Sequence, residues 1–188
     1  MKQKHNNEWT KVLLGAYGYL PSAVKAAKAE AQRLALSGYS YGGDIVELMD
    51  RIIDCNKRIE NYINAHVLVG ESLRRIGEDK ALMLKEVCVE RMELADHAAR
   101  IGLSLTVARR KLRGALLSFA RACSVQGYGE EWFCARFGKD VLFDKIRERV
   151  TEKKRRLKHP TPIPRHETPA YGTPDAFRAS LDALERPA

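Results

Sequence analysis

Apolar residues recur along this chain at intervals of three and four, and no convincing two-residue alternation replaces them, so the pattern predicts an all-α fold. Residues 1–10 read as a loose polar arm. Residues 11–20, KVLLGAYGYL, are apolar, aromatic and interrupted by glycine. Pro21 and Ser22 mark a helix start, and Ser37–Gly38 its end. Between them Leu20, Val24, Ala27, Ala31 and Leu34 share one face. The turn-rich GYSYGG of residues 38–43 follows, and Asp44 is placed to cap a long helix over 45–76. Ile45, Leu48, Ile52, Cys55, Ile59, Tyr62, His66, Val69, Leu73 and Ile76 form a heptad-like seam along it. A short connection predicts an antiparallel hairpin of these two helices. The same seam offers a surface for a homodimer through the 45–76 helix. His66 interrupts the seam, as a hydrogen-bonded core histidine does.

Gly77 breaks the pattern. Helices are predicted over 79–90, over 93–101, from Ser104 to about Cys123, and over 140–157; VQGYG separates the last two, and EEWFCARFGKD leads into the final one. Six of the seven prolines lie beyond Lys158, which predicts a disordered tail whose last residues, PDAFRASLDALERPA, can form a short amphipathic helix on a partner. The expected organisation is an N-terminal helical hairpin over 1–77, a DNA-binding segment over 78–124, a C-terminal helical extension over 125–158 and a disordered tail over 159–188.

Charge and composition narrow the function. The chain has 188 residues, 45% of them hydrophobic, and a formal net charge of +9. A core can form, and the charge favours a polyanionic partner. A basic surface kept for solubility is the plain alternative. Cys55, Cys88, Cys123 and Cys134 form no CxxC pair and have no histidine at zinc-finger spacing. They read as reduced core thiols, with neither metal nor cofactor expected. MKQKHNNEWT has no signal-peptide apolar run, and no stretch approaches the ~18 apolar residues of a membrane span. A cytoplasmic protein without a membrane partner is expected.

The informative stretch is residues 92–116, MELADHAARIGLSLTVARRKLRGAL. Ala98 supplies the small residue that two crossing helices need. Gly102, four positions later, supplies a residue that tolerates positive φ at the turn. Ser104 can cap the second helix. Leu105, Ala108, Leu112, Ala115 and Phe119 give that helix an apolar face, and Thr106, Arg109, Arg110 and Arg113 occupy the other side, where DNA would lie. From His97 to Gly129 there is no acidic residue, while Arg100, Arg109, Arg110, Lys111, Arg113 and Arg121 are basic. A solvated helix mixes charge signs and gains pairs at i, i+4; this one forgoes them. A second basic cluster, KKRRLKHP over 153–160, offers either further phosphate contacts or a solvated helix end stabilised by the helix dipole. Trp132, Phe133 and Phe137 are suited to docking the last helix on the body.

The run ELADHAARIGLSLTVARRKLRGALLSFARA resembles the DNA-binding C-terminal region of bacterial sigma factors. The wider arrangement resembles phage-encoded late-transcription regulators of the ArpU/RinA type. The sigma-like part covers roughly 79–122 and rests on Met92, Leu94, Ala98, Ile101, Gly102, Leu103, Ser104, Leu112 and Ala115. This chain has His97 where the family carries an aliphatic residue, and Ala108 where it carries Val or Ile. The resemblance implies a double-stranded DNA partner, a recognition helix in the major groove, and recruitment of, or partial sigma substitution at, bacterial RNA polymerase. Arg109, Arg110 and Arg113 would then reach guanine edges or flanking phosphates; Thr106 would meet a base methyl or a phosphate. Ser104 and Lys111 would position the DNA backbone.

Other classes leave different signatures. The chain has no Walker-type glycine loop, GxSxG, HExxH or dinucleotide fingerprint, and no enzymatic activity is expected. A phage small terminase subunit, which recognises DNA for packaging, also combines a helix-turn-helix with long helices and a charged tail. It would assemble as a ring. A helical bundle that only binds proteins would show no salt-dependent DNA affinity.

Overall fold

The three-and-four spacing is realised as helix throughout the described residues, 8–37 and 44–158 of the computed structural model, with side chains placed as far as Glu152. The loop 38–43, the basic cluster over 153–160 and the tail from 159, for which a turn, phosphate contacts and disorder are expected, lie outside the described side chains or residues altogether. The helices are α1 (Glu8–Tyr17), α2 (Leu20–Ser37), α3 (Ile45–Arg75), α4 (Glu78–Leu84), α5 (Leu94–Arg100), α6 (Leu105–Val125), α7 (Glu130–Phe137) and α8 (Val141–Lys158). A π turn, Lys85–Val89, continues α4. Among the described residues there is no strand, so the fold is all-α.

The N-terminus corrects the expectation of a loose arm reaching residue 10. Helix starts at Glu8, and Trp9 and Thr10 are already buried. α1 is apolar nearly all round, as a helix enclosed by others is: Val12, Leu13, Leu14 and Ala16 are all essentially inaccessible. Gly15 lies where a Cβ would stand 3.1 Å from the Ile146 side chain of α8, so its lack of a side chain permits that approach. Pro21 sits in the first turn of α2, where its missing N–H costs no hydrogen bond.

On α2 the predicted face points inward, with Leu20, Ala27 and Leu34 buried. The Asp44 side chain accepts a hydrogen bond from Val46 N at 2.8 Å and caps α3. Much of the α3 seam is taken up inside the chain, although Ile45 at its start is exposed and Ile52, Ile59 and Ile76 are half-buried. Leu34 of α2 clusters with Leu48 and Cys55, while Tyr62, Val69 and Leu73 belong to the main core. His66 is not held as a core histidine hydrogen-bonded at both nitrogens: its Nδ1 has no partner, and its ring stacks on Tyr17 at 4.6 Å and 11°.

The main core runs across positions 77 and 124, where composition suggests boundaries. It joins residues of α1, α3, α4, α6, α7 and α8, and the division of the chain falls at Glu152/Lys153. Phe133, Phe137 and Phe143 form its aromatic centre, with Phe137 and Phe143 stacked at 4.2 Å and Trp9 reaching Phe133 at 6.1 Å. Tyr62 of α3 donates its hydroxyl to the Asp140 carboxylate at 2.8 Å. Burial, then that hydrogen bond, pushes the Tyr62 phenol well above its ordinary pKa.

Two further expectations need correction. The 79–90 helix ends as α-helix at Leu84, and the π turn carries the chain on from Lys85. The cysteines form no disulfide and are not all in the core: Cys55 and Cys123 are buried, Cys88 is half-buried and Cys134 is exposed. Burial pushes the Cys123 thiol up to about 11, keeping it protonated at neutral pH. No described helix is long and apolar enough to cross a membrane.

Candidate nucleic-acid interface

The link between α5 and α6 is built by backbone chemistry that the sequence requires. After Ile101 the chain turns through Gly102 at φ +66°. The N–H of Leu103 bonds Ala98 O at 2.9 Å, and that of Gly102 bonds Ala99 O at 3.2 Å. This is the paired pattern of a Schellman motif, which satisfies the last carbonyls of α5 and needs a left-handed residue at the position Gly102 holds. The Ser104 hydroxyl then accepts from Val107 N at 3.4 Å as the N-cap of α6. Ala98 is buried.

Nothing lies within 4 Å of a Cβ built on Gly102, so a side chain there meets only backbone strain. Gly102→Ala is expected to cost about 1 kcal/mol, the penalty of a left-handed L-residue. Urea denaturation checks this; an unchanged midpoint would show that the turn relaxes at no cost.

α6 divides into two faces as its sequence predicts, with one exception. Ala108, Ala115, Leu116, Phe119 and Cys123 are buried and Leu112 is half-buried. Leu105, expected on the apolar face, is exposed at the start of the helix. Thr106, Arg109, Arg110, Lys111 and Arg113 are all exposed. At about 100° per residue, Thr106, Arg109, Arg110 and Arg113 fall within roughly one third of the helix circumference, with Lys111 well to one side. Exposed Arg121 falls on that same outward face further along, extending the cationic stripe toward the C-terminus. Among the described residues none of Arg109, Arg110, Lys111, Arg113 and Arg121 makes an ion pair. Like charges ~8 Å apart in water repel by about 0.5 kcal/mol per pair, and this helix carries several such pairs without an internal counter-charge.

Arg100 belongs to a different device. Its guanidinium donates to Glu86, a largely buried carboxylate in the π turn, and Glu86 Oε2 also lies 2.6 Å from His97 Nδ1. His97, the departure from the aliphatic residue of the resembling family, is thus buried with a partner. Together Arg100 and His97 clamp α5 to the π turn that precedes it. The Arg100 hydrogen bond, opposed by burial and aided by His97, holds the Glu86 carboxyl below the usual carboxylate range; the same contact raises Arg100. Sequence reading missed Glu86. The available signal was a carboxylate three residues after Met83, on the side of the segment that Met83 buries.

The sign of the pH effect follows from the lowered pKa. The ionised Glu86 contributes fully above the unfolded-chain glutamate value of about 4.3, and that contribution is lost as pH falls through the lower folded value. Glu86→Gln is therefore expected to lower the thermal midpoint at pH 7, with the gap to wild type closing on acidification. A gap unchanged into the acid range would show that the charge of Glu86 is not what holds α5.

After Glu90 the chain reverses through Arg91, which adopts φ +65° and lays its guanidinium 5.0 Å over the Tyr19 ring. This contact ties the connection between α4 and α5 to the junction of α1 and α2. Both ends of α5 are thus fixed, by Arg91 before it and by the Gly102 turn after it. Among the described residues no group of three or more His, Cys, Asp or Glu side chains is placed to hold a metal ion. Comparison with protein-family models, with curated proteins and with solved structures finds no match for this chain.

Proposed function

We propose that this chain is a sequence-specific double-stranded DNA-binding protein whose helix-turn-helix is α5 and α6, with α6 the helix that enters the major groove. The observation that carries the reading is the outward face of α6: Thr106, Arg109, Arg110 and Arg113, all exposed, the three arginines without an ion pair among the described residues. A row of cations that forgoes internal partners becomes favourable when it displaces counterions from a phosphate backbone. Ser104 at the N-terminus of α6 adds a helix end suited to a phosphate, and Lys111 flanks the stripe. The clamp of Glu86 on Arg100 and His97 supports the reading by holding the supporting helix still. Its role as a transcription regulator rests on the sigma-like resemblance: a phage or prophage activator acting at a promoter with host RNA polymerase, in the bacterial cytoplasm.

The test is selection of bound fragments from the source genome by purified protein at near-physiological salt. Enrichment upstream of a gene cluster supports the regulator. Enrichment beside packaging genes, with assembly into a ring of about eight or more subunits, favours the small-terminase reading. No enrichment, with affinity insensitive to salt, makes the basic helix a solvated surface of a protein-binding bundle.

A further inference from the structure

α3 has a second apolar stripe that its buried seam conceals in the sequence. Val46, Met49, Ile53, Ile63 and Val67 are between 42% and 64% exposed. Exposed aliphatics scattered singly are ordinary, but here Val46, Met49 and Ile53 form one apolar group and Ile63 and Val67 a second on the same face of the helix. These five positions fit a single heptad register, with 46, 53, 60 and 67 as one set and 49, 56 and 63 as the other. The two polar members, Asn56 and Glu60, lie together in the middle.

We propose that this outer stripe is the surface on which a second copy of the chain binds, with the two α3 helices antiparallel about a dyad near Arg58. The pattern is self-complementary in that register. Met49 faces Val67 of the other copy, and Ile53 faces its Ile63. Val46 lies opposite Gly70, which the Tyr17 hydroxyl covers within its own chain, so the apolar layers of the pairing are those of Met49 with Val67 and Ile53 with Ile63. Asn56 meets Glu60, so an amide faces a carboxylate rather than an apolar residue. Lys57 of each copy comes beside Glu60 of the other, and the two Glu60 carboxylates lie close to the two Lys57 ammonium groups that flank the dyad. Among the described residues, Lys57 makes an exposed contact to Asp54 at 3.5 Å. A parallel pair would instead set Glu60 against Glu60 inside an apolar seam. An unrelated partner would not require the stripe to be a palindrome. The dimer uses none of the α6 residues and is independent of the DNA reading.

The test is the mass of the full chain in solution, measured without DNA by sedimentation across micromolar concentrations. Twice the 21.2 kDa chain mass is expected. Ile53→Lys, at a position already exposed, should yield a folded monomer, with unchanged helicity as the control. Lys57→Glu and Glu60→Lys alone should each weaken the dimer by about tenfold, and the double variant should recover it, because the swapped charges again face each other. In a Cys134→Ser background, Ile53→Cys and Ile63→Cys chains should cross-link when mixed and not separately. A monomer at every concentration would overturn the proposal, including one whose own residues 159–188 cover the stripe. So would a larger ring, a dimer indifferent to Ile53→Lys, or cross-linking of Ile53→Cys chains with one another.

Discussion

Replacing Arg109, Arg110 and Arg113 together with alanine is expected to abolish specific DNA binding at near-physiological salt, with a loss of at least about a hundredfold. A bidentate arginine on guanine contributes about 1–3 kcal/mol of discrimination, and even a phosphate-only contact releases counterions. The two roles separate by salt titration. If all three arginines neutralise phosphates, the slope of log affinity against log salt should flatten by about 2.7, close to 0.9 for each. Arginines that read bases would instead flatten it less while removing preference for the selected site. Lys111→Ala, off the main face, should lower affinity evenly across sequences. The fold should not respond, because all three arginines are exposed and none makes an ion pair among the described residues. Persistence of binding with its salt slope intact would place the DNA surface elsewhere than on α6.

Much of the α5–α6 link was legible because its determinants are local. Gly102 is read from the need for a left-handed residue, Ser104 from capping, and Ala98 from its spacing to the turn; each demand concerns a few neighbouring residues. The α2 and α3 limits follow likewise from Pro21, Ser37 and Asp44. What escaped depends on contacts between distant segments. Glu86 looks like one more surface carboxylate until the π turn brings it to His97 and Arg100. Arg100, counted among the basic residues of the acid-free run 97–129, is drawn to Glu86 by the same contact. The outer stripe of α3 was hidden because a stronger seam lies beside it on the same helix, and only burial separates the two. α1 was misjudged at its start because EWT reads as polar, although Trp9 and Thr10 pack inside. Cys134 was assigned to the core by residue type, yet its place on α7 leaves it outside while Phe133 and Phe137 turn in.

Phe143→Ala is expected to be the most destabilising single substitution considered, at about 3–5 kcal/mol. Phe143 is fully buried, stacked on Phe137 at 4.2 Å, edge-on to Phe133 at 5.6 Å and 6.4 Å from Tyr62. Truncation removes both the transfer free energy of the ring and its contacts, and neighbours held by their own rings close the cavity only in part. At roughly 2–4 °C per kcal/mol for a chain of this size, the thermal midpoint should fall by about 6–20 °C. The substitution also tests whether α8 is an appendage or part of the fold that carries α6. The chain's two tryptophans, Trp9 on α1 and Trp132 on α7, report from distant parts of the sequence, and Trp9 touches the same aromatic cluster through Phe133. One shared core predicts that fluorescence from either tryptophan, read in single Trp→Phe variants, and helicity from circular dichroism lose signal in one coincident transition. Phe143→Ala should move that transition as a whole. A residual helical transition at the wild-type midpoint, with only the Trp132 signal shifted, would mean that α7 and α8 fold apart from the body. The segment that carries α5 and α6 would then stand without them.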